Sequence, residues 1–175
     1  FMSSMMTMGN TIAGERERGE LARLFMTPTS ISSVLAGKIT SQVIRQLISA
    51  VILILSAIIL FNATIKGSYI LLFIVILVSL FCFVGFGMMF SSTARTQEDY
   101  IQIVMPIAMP MMFICGVFFP TQTMPPILQE IAQFLPLTYA NDAFRTIMIQ
   151  GGGLGDITLD LVILLAFGLV FFIIG

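Results

Sequence analysis

An all-α, polytopic membrane helical bundle is the fold this sequence predicts, and three observations predict it. Hydrophobic residues make up 58% of the 175 and charged residues only 10%, with a mean hydropathy of +1.04. A soluble domain carries about 25% charged residues, so this chain lacks the means to cover a water-facing surface. The apolar residues also fall in blocks about 20 residues long, the length that crosses ~30 Å of hydrocarbon at ~1.5 Å per residue. Finally, the basic residues gather in alternate connections between those blocks, as they do in multi-span proteins.

Taken in order, residues 1–8 (Phe1 to Met8, rich in Met) read as the last turns of a span, and 9–31 as a charged connection. Residues 32–61 read as one helix that enters and crosses the membrane, its apolar block starting near Val43. Residues 69–90 and 101–119 are two further spans. Residues 120–150 form an outer pair of short helices, and 157–175 the last span. The chain starts at Phe1 without an initiator Met and stops at Gly175 within an apolar run, with no signal peptide ahead of it. The expectation is therefore the C-terminal portion of a longer protein.

Orientation follows from Arg16, Arg18, Arg23, Lys38 and Arg45, which precede or open the first complete span, and from Arg95 between the next two. These connections are assigned to the cytoplasm, as is the C-terminus. The short connection around Lys66 and the Pro120–Asp156 segment, whose one basic residue is Arg145, are assigned outside. Arg45 lies one turn into its block, where its long stem lets the guanidinium snorkel to the headgroups.

Within the charged connection, Leu21, Leu24 and Phe25 share a helical face, and Glu20 and Arg23 can pair at i, i+3. Pro28 stops the helix and disfavours helical geometry at Thr27. A solvated or interfacial helix and a docking element for a cytoplasmic partner both fit these residues.

The outer segment holds Ile127, Leu128, Ile131, Phe134 and Leu135 at helical spacing, between Pro126 in a first turn and Pro136 as a stop. A second stripe follows in Leu137, Ala140, Phe144, Ile147 and Met148. Two short amphipathic helices between spans read as a re-entrant or interfacial hairpin over a cavity, since irregular backbone at membrane depth needs protein or a water-lined space around it.

Several functions are excluded. A net charge of −1 and no His give no nucleic-acid surface. Cys82 and Cys115 are isolated in apolar blocks and read as small buried hydrophobes, not zinc ligands. Gly37-Lys38-Ile39-Thr40 lacks the Ser/Thr and the opening Gly of a phosphate loop, so the chain is not itself an ATPase or other enzyme. In the third span Met105, Pro106, Met109 and Pro110, with Met111 and Met112, offer a surface able to repack around apolar ligands. Plain helix packing is the preferred reading of them.

The run Glu15-Arg16-Glu17-Arg18-Gly19-Glu20-Leu21, with Leu24 and Thr27-Pro28, resembles the cytoplasmic coupling helix of ABC type-2 transporter permeases. Gly116, Phe118, Pro120, Pro125, Gln129, Ile131, Ala132, Pro136, Thr138, Tyr139 and Arg145 resemble that family's C-terminal signature, and the order of elements is the family's too. Glu20 stands where the family often has Thr, and Ala22 where an acidic residue is frequent. The resemblance implies a six-span, multi-pass permease of the cell membrane, dimerised with a second permease copy or homologue. It implies ATP and Mg in a partner ABC ATPase and no cofactor here, membrane lipid as a neighbour, and an extracellular re-entrant hairpin built on Pro120, Pro125, Pro126, Gln129, Pro136, Thr138, Tyr139 and Arg145. Such permeases move hydrophobic or amphipathic cargo (drug, lipid, peptide or glycan) outward. The alternative reading is an ion-coupled secondary transporter, or a membrane channel or scaffold without an ATPase. Against the carrier, only Arg45 and Asp160 bring ionisable groups near the spans.

Overall fold

Seven α-helices and a π-helical turn make up the described residues of the computed structural model, which are 2–18, 31–61, 66–118 and 123–175. They are α1 (Met2–Glu17), α2 (Ile31–Phe61), α3 (Tyr69–Thr93), α4 (Gln97–Ile114), α5 (Pro126–Gln133), α6 (Pro136–Arg145) with the π turn Thr146–Gln150, and α7 (Leu154–Ile174). Among the described residues, α2 from Ala36 to Leu60, α3 and α7 are each long and apolar enough to cross a membrane.

α3 is the axis. It packs against α1, α2, α4, α6 and α7, and more than half of its apolar stretch is buried, whereas that of α2 is almost wholly exposed. The α3–α7 contact is the most extensive and runs through aromatic pairs, Phe81 stacked on Phe172 at 4.6 Å and Phe86 edge-on to Phe171 at 4.9 Å. With no hydrophobic driving force between helices in lipid, such van der Waals contact and interhelical hydrogen bonds hold a bundle together. Polar glue of that kind joins α1 to α2. The Ser3 hydroxyl donates to Gln46 Oε1 at 3.3 Å, and Gln46 Nε2 donates to Thr7 Oγ1 at 3.4 Å.

α1 differs from expectation. The boundary placed between Met8 and Gly9 does not exist as a break, because the helix runs on unbroken to Glu17. Gly9 reads as a loop residue in isolation, but its missing side chain makes room for Tyr100. A Cβ there would fall inside the Tyr100 ring, which is fully buried and donates its phenol proton to Met5 O at 2.8 Å. Thr7 and Thr11 bond back to the carbonyls one turn earlier, and Ile12 and Ala13 are buried. Thus Glu15, Arg16 and Glu17 stand on the helix that begins at Met2. Gly19, Glu20, Leu21, Leu24, Thr27 and Pro28 lie outside the described residues, as does Pro120.

The third expected span also shifts. α4 starts at Gln97, where Thr96 and Asp99 form a capping box, and ends at Ile114 instead of Phe119. Cys115 closes the last turn and Gly116 takes φ 78°, a left-handed conformation that terminates the helix. At 18 residues with a polar first turn, α4 is about 27 Å long and, unlike α2, α3 and α7, is not among the helices long and apolar enough to cross a membrane. Pro106 and Pro110 lie within it without ending it, both on its exposed face. The last helix begins at Leu154, three residues before the expected start, because the Asp156 carboxylate accepts from Gly153 N at 2.9 Å.

Gly9→Ala is expected to lower the unfolding free energy by about 1–3 kcal/mol, the cost of overpacking. At Gly37 an added Cβ meets no atom of the described residues within 4 Å, so Gly37→Ala is expected to be neutral or to stabilise by up to about 1 kcal/mol. Thermal unfolding of the purified protein in detergent checks both. Equal midpoints would show that the Tyr100 ring yields freely.

Candidate functional site: the charged end of the bundle

The charged residues at the end of α1 meet two other elements. Glu15 pairs with Lys38 near the start of α2. The Arg16 guanidinium donates to Ala94 O at 2.8 Å and to Ser92 O at 3.1 Å, the carbonyls at the C-terminal end of α3. Glu17 Oε2 accepts from Gln97 N at 3.3 Å, at the first residue of α4. A cation therefore sits on the negative end of one helix dipole, and an adjacent anion on the positive end of the next. Both contacts straddle the α3–α4 turn, where Arg95 is exposed. Arg18 closes a final turn on Gly14 O at 3.0 Å.

Two residues missed from the sequence complete this end. Gln97 Nε2 donates to Asn10 O at 3.3 Å, and the buried Ser91 hydroxyl donates to Gly9 O at 3.2 Å. The Thr96-x-x-Asp99 spacing signals that a helix starts there. No local pattern names α1 as its partner, since these contacts link residues more than 80 positions apart.

At the opposite end lies the α5–α6 pair. Thr138 donates to Ala132 O at 2.6 Å and Tyr139 to Gln133 O at 2.7 Å, so both hydroxyls satisfy the last carbonyls of α5. Gln129 reaches back to Met124 O at 2.8 Å, next to Pro125, and Pro126 and Pro136 occupy first turns. Asn141 donates to Cys115 O at 3.3 Å, tying α6 to the end of α4. α6 buries Leu137, Ala140 and Ala143, and burial pushes the Asp142 carboxyl above its ordinary value while Arg145 opposes the shift. Arg145 itself is exposed. By contrast Ile127, Ile131 and Phe134 of α5 turn outward, Phe134 at 77% exposure.

Met105, Pro106, Met109 and Pro110 share the outward face of α4, opposite the buried Val104, Ala108 and Met111. None of the four is among the residues lining the cavity that opens between α2, α3 and α6.

Residues 1–149 match the family model described as ABC-2 type transporter. The chain is 30% identical over 140 residues to ABC transporter G family member 20 of Dictyostelium discoideum, covering 80% of this chain and 19% of that protein. It is 27% identical over 158 residues to the probable multidrug ABC transporter permease YbhR of Escherichia coli, covering 90% and 42%. It is 30% identical over 176 residues to the linearmycin resistance permease protein LnrN of Bacillus subtilis, covering 99% and 45%. The chain thus spans less than half the length of each. No solved structure matches it.

Thr138→Val removes a buried hydroxyl's bond to Ala132 O and is expected to cost about 1–2 kcal/mol. Tyr139→Phe removes a solvent-exposed one and is expected to cost about 0.5 kcal/mol or less. Hydrogen exchange of the α5 amides checks the order. Faster exchange in the Tyr139 variant than in the Thr138 variant would contradict it.

Proposed function

We propose, from the premise that the chain belongs to the ABC-2 type transporter family, that it is part of the membrane permease of an ATP-driven exporter. The chain is a multi-pass membrane protein. In this reading the charged end of α1 faces the cytoplasm and is held by an ABC ATPase, which supplies ATP, Mg and the hydrolytic site. The positive-inside bias of Arg16, Arg18, Lys38 and Arg95 supports that orientation. It also places the end of α7 on the cytoplasmic side of the cell membrane.

The observation that carries the proposal is the position of three consecutive residues. Glu15 holds α2, Arg16 the end of α3, and Glu17 the start of α4. A displacement imposed on this segment reaches three helices at once. α2 is unbroken for 31 residues, so it acts as a lever from the cytoplasmic face through the membrane. Gly19, Glu20, Leu21, Leu24, Thr27 and Pro28 complete the docking element in the family pattern.

α5 and α6 form the extracellular re-entrant hairpin. Leu137 and Asn141 line the same space as Ser79 and Phe83, which lie 10 and 14 residues in from Tyr69. At ~1.5 Å per residue that is about 15–21 Å from the outer end of α3, near half the bilayer. The hairpin closes the outer side of the pathway, and the exposed α4 face with Met105, Pro106, Met109 and Pro110 meets a second permease copy across it. Cargo is hydrophobic or amphipathic and is released outward by alternating access.

Reversing Glu17 to Lys places a cation at a helix N-terminus, a local penalty of about 0.3–1 kcal/mol, too small to unfold the protein. With the complete transporter in vesicles, Glu17→Lys is expected to insert normally and hydrolyse ATP while losing most transport. Transport at the wild-type rate per ATP would overturn the coupling role.

A further inference from the structure

The π turn Thr146–Gln150 that ends α6 winds more widely than an α-helix, each bond reaching one residue further. Gly151 leaves it in the left-handed conformation, at φ 69°, and its N–H donates to Thr146 O, as does that of Gly152 at 3.0 Å. A helix end leaves its last carbonyls without partners in the helix, and here the connection between α2 and α3 supplies a donor. Lys66 N–H donates to Met148 O at 3.3 Å. Gly67 lies flat on the same turn, where an added Cβ would stand 2.6 Å from Ile147 O. A Cβ on Gly151 would in turn stand 3.3 Å from Lys66 Cβ. Lys66 and Gly67 thus form a strap across the π turn.

The two partners in this contact are held with different firmness. Ile147 is fully buried and packs with Leu72, Val75 and Ile157, so the π turn is fixed to α3 and α7. The apolar stretch of α2 is almost wholly exposed, and a cavity of about 320 Å³ opens between its Leu53–Ile54 region, α3 and α6. The strap grips lightly. Lys66 is exposed, its hold is a backbone hydrogen bond, and Gly67 has no side chain to interlock. A contact with few buried apolar atoms and a solvent-exposed hydrogen bond opens at low free energy. Once it is open, the Lys66 N–H and Met148 carbonyl can pair with water.

We propose that this strap is a conformational latch for α2. Docked on the π turn, it holds the end of α2 beside the α5–α6 hairpin. Released, it frees that end to move across the cleft towards or away from α3 and α6. The place of the latch in a transport cycle rests on the permease reading, in which α2 is driven at its other end through Lys38. Docking requires glycine at position 67, because the atom that a side chain would strike belongs to the backbone of the fixed turn.

The first test does not depend on transport. Spin labels are placed at Ile59→Cys and Ile149→Cys, positions 74% and 59% exposed, in the full-length protein in lipid nanodiscs with its other reactive cysteines replaced. Pulsed electron paramagnetic resonance is expected to give a predominant short distance, and Gly67→Ala to add a longer one. An unchanged distribution in Gly67→Ala would overturn the latch. The second test uses Lys66→Cys with Gly151→Cys in the complete transporter in vesicles. Their Cβ spacing of 3.3 Å lies close to the ~3.5–4.5 Å of a disulfide. Oxidation is expected to bridge the pair and to cut transport about tenfold or more, as blocking a gating motion does, with recovery on reduction. Each single variant, including Gly151→Cys at its left-handed position, is expected to transport equally before and after oxidation. Failure to bridge, or transport by the bridged protein at its unbridged rate, would overturn the latch while leaving the permease reading intact. Wild-type vesicles without ATP-driven transport would instead overturn the permease reading, and the spin-label distances then decide the latch alone.

Discussion

Tyr100 crossing the face of α1 at Gly9 is the contact on which the rest of the charged end depends. Its ring is fully buried where residue 9 has no side chain, and its phenol is held by Met5 O at 2.8 Å. That crossing fixes α1 against α4 in register, while the Ser91 hydroxyl on Gly9 O ties the same turn to α3. At the next residue Asn10 O meets the Gln97 side-chain amide, and two turns on from Gly9, Arg16 and Glu17 arrive at the opposed helix ends of the α3–α4 turn. Single pairs of this kind contribute little on exposed surfaces. Here they are placed by a buried aromatic contact, which supplies the rigidity that the charges lack.

α3 links that end to the opposite one. Its C-terminal part holds Ser91 on Gly9 O, while Leu72, Val75 and Ile76 nearer its start cluster with Ala143, Ile147 and Ile157. The two ends of the proposed pathway are therefore joined by one unbroken helix about 37 Å long. Rigid elements with packed contacts at both ends are the physical means by which coupling travels between sites. In the proposed permease, a shift at the α3–α4 turn has a direct route to the α5–α6 pair without any intervening flexible segment in α3.

The spanning helices were legible because the bilayer sets one demand, about 20 apolar residues, and the blocks beginning near Val43, Tyr69 and Ile157 meet it within α2, α3 and α7. α4 was legible only in part. Its apolar block continues to Phe119, and the stop comes from the backbone of Gly116, a conformation that composition does not encode. The continuity of α1 through Gly9 was hidden for a related reason, since the compensating residue, Tyr100, lies 91 positions away. The stripe of α6 correctly marked a buried face, with Leu137, Ala140 and Ile147 inside. The similar stripe of α5 faces outward, which periodicity alone does not distinguish when lipid is the solvent.

The most direct measurement of the central claim is the accessibility of Arg18→Cys to a membrane-impermeant maleimide in sealed vesicles of known sidedness. Arg18 is exposed, and Cys82 and Cys115, the two cysteines of this chain, are buried and free, so neither competes for the reagent. The account predicts labelling from the cytoplasmic face alone, with protection when the ATPase is bound. Labelling from the outer face, or labelling indifferent to the ATPase, would contradict it.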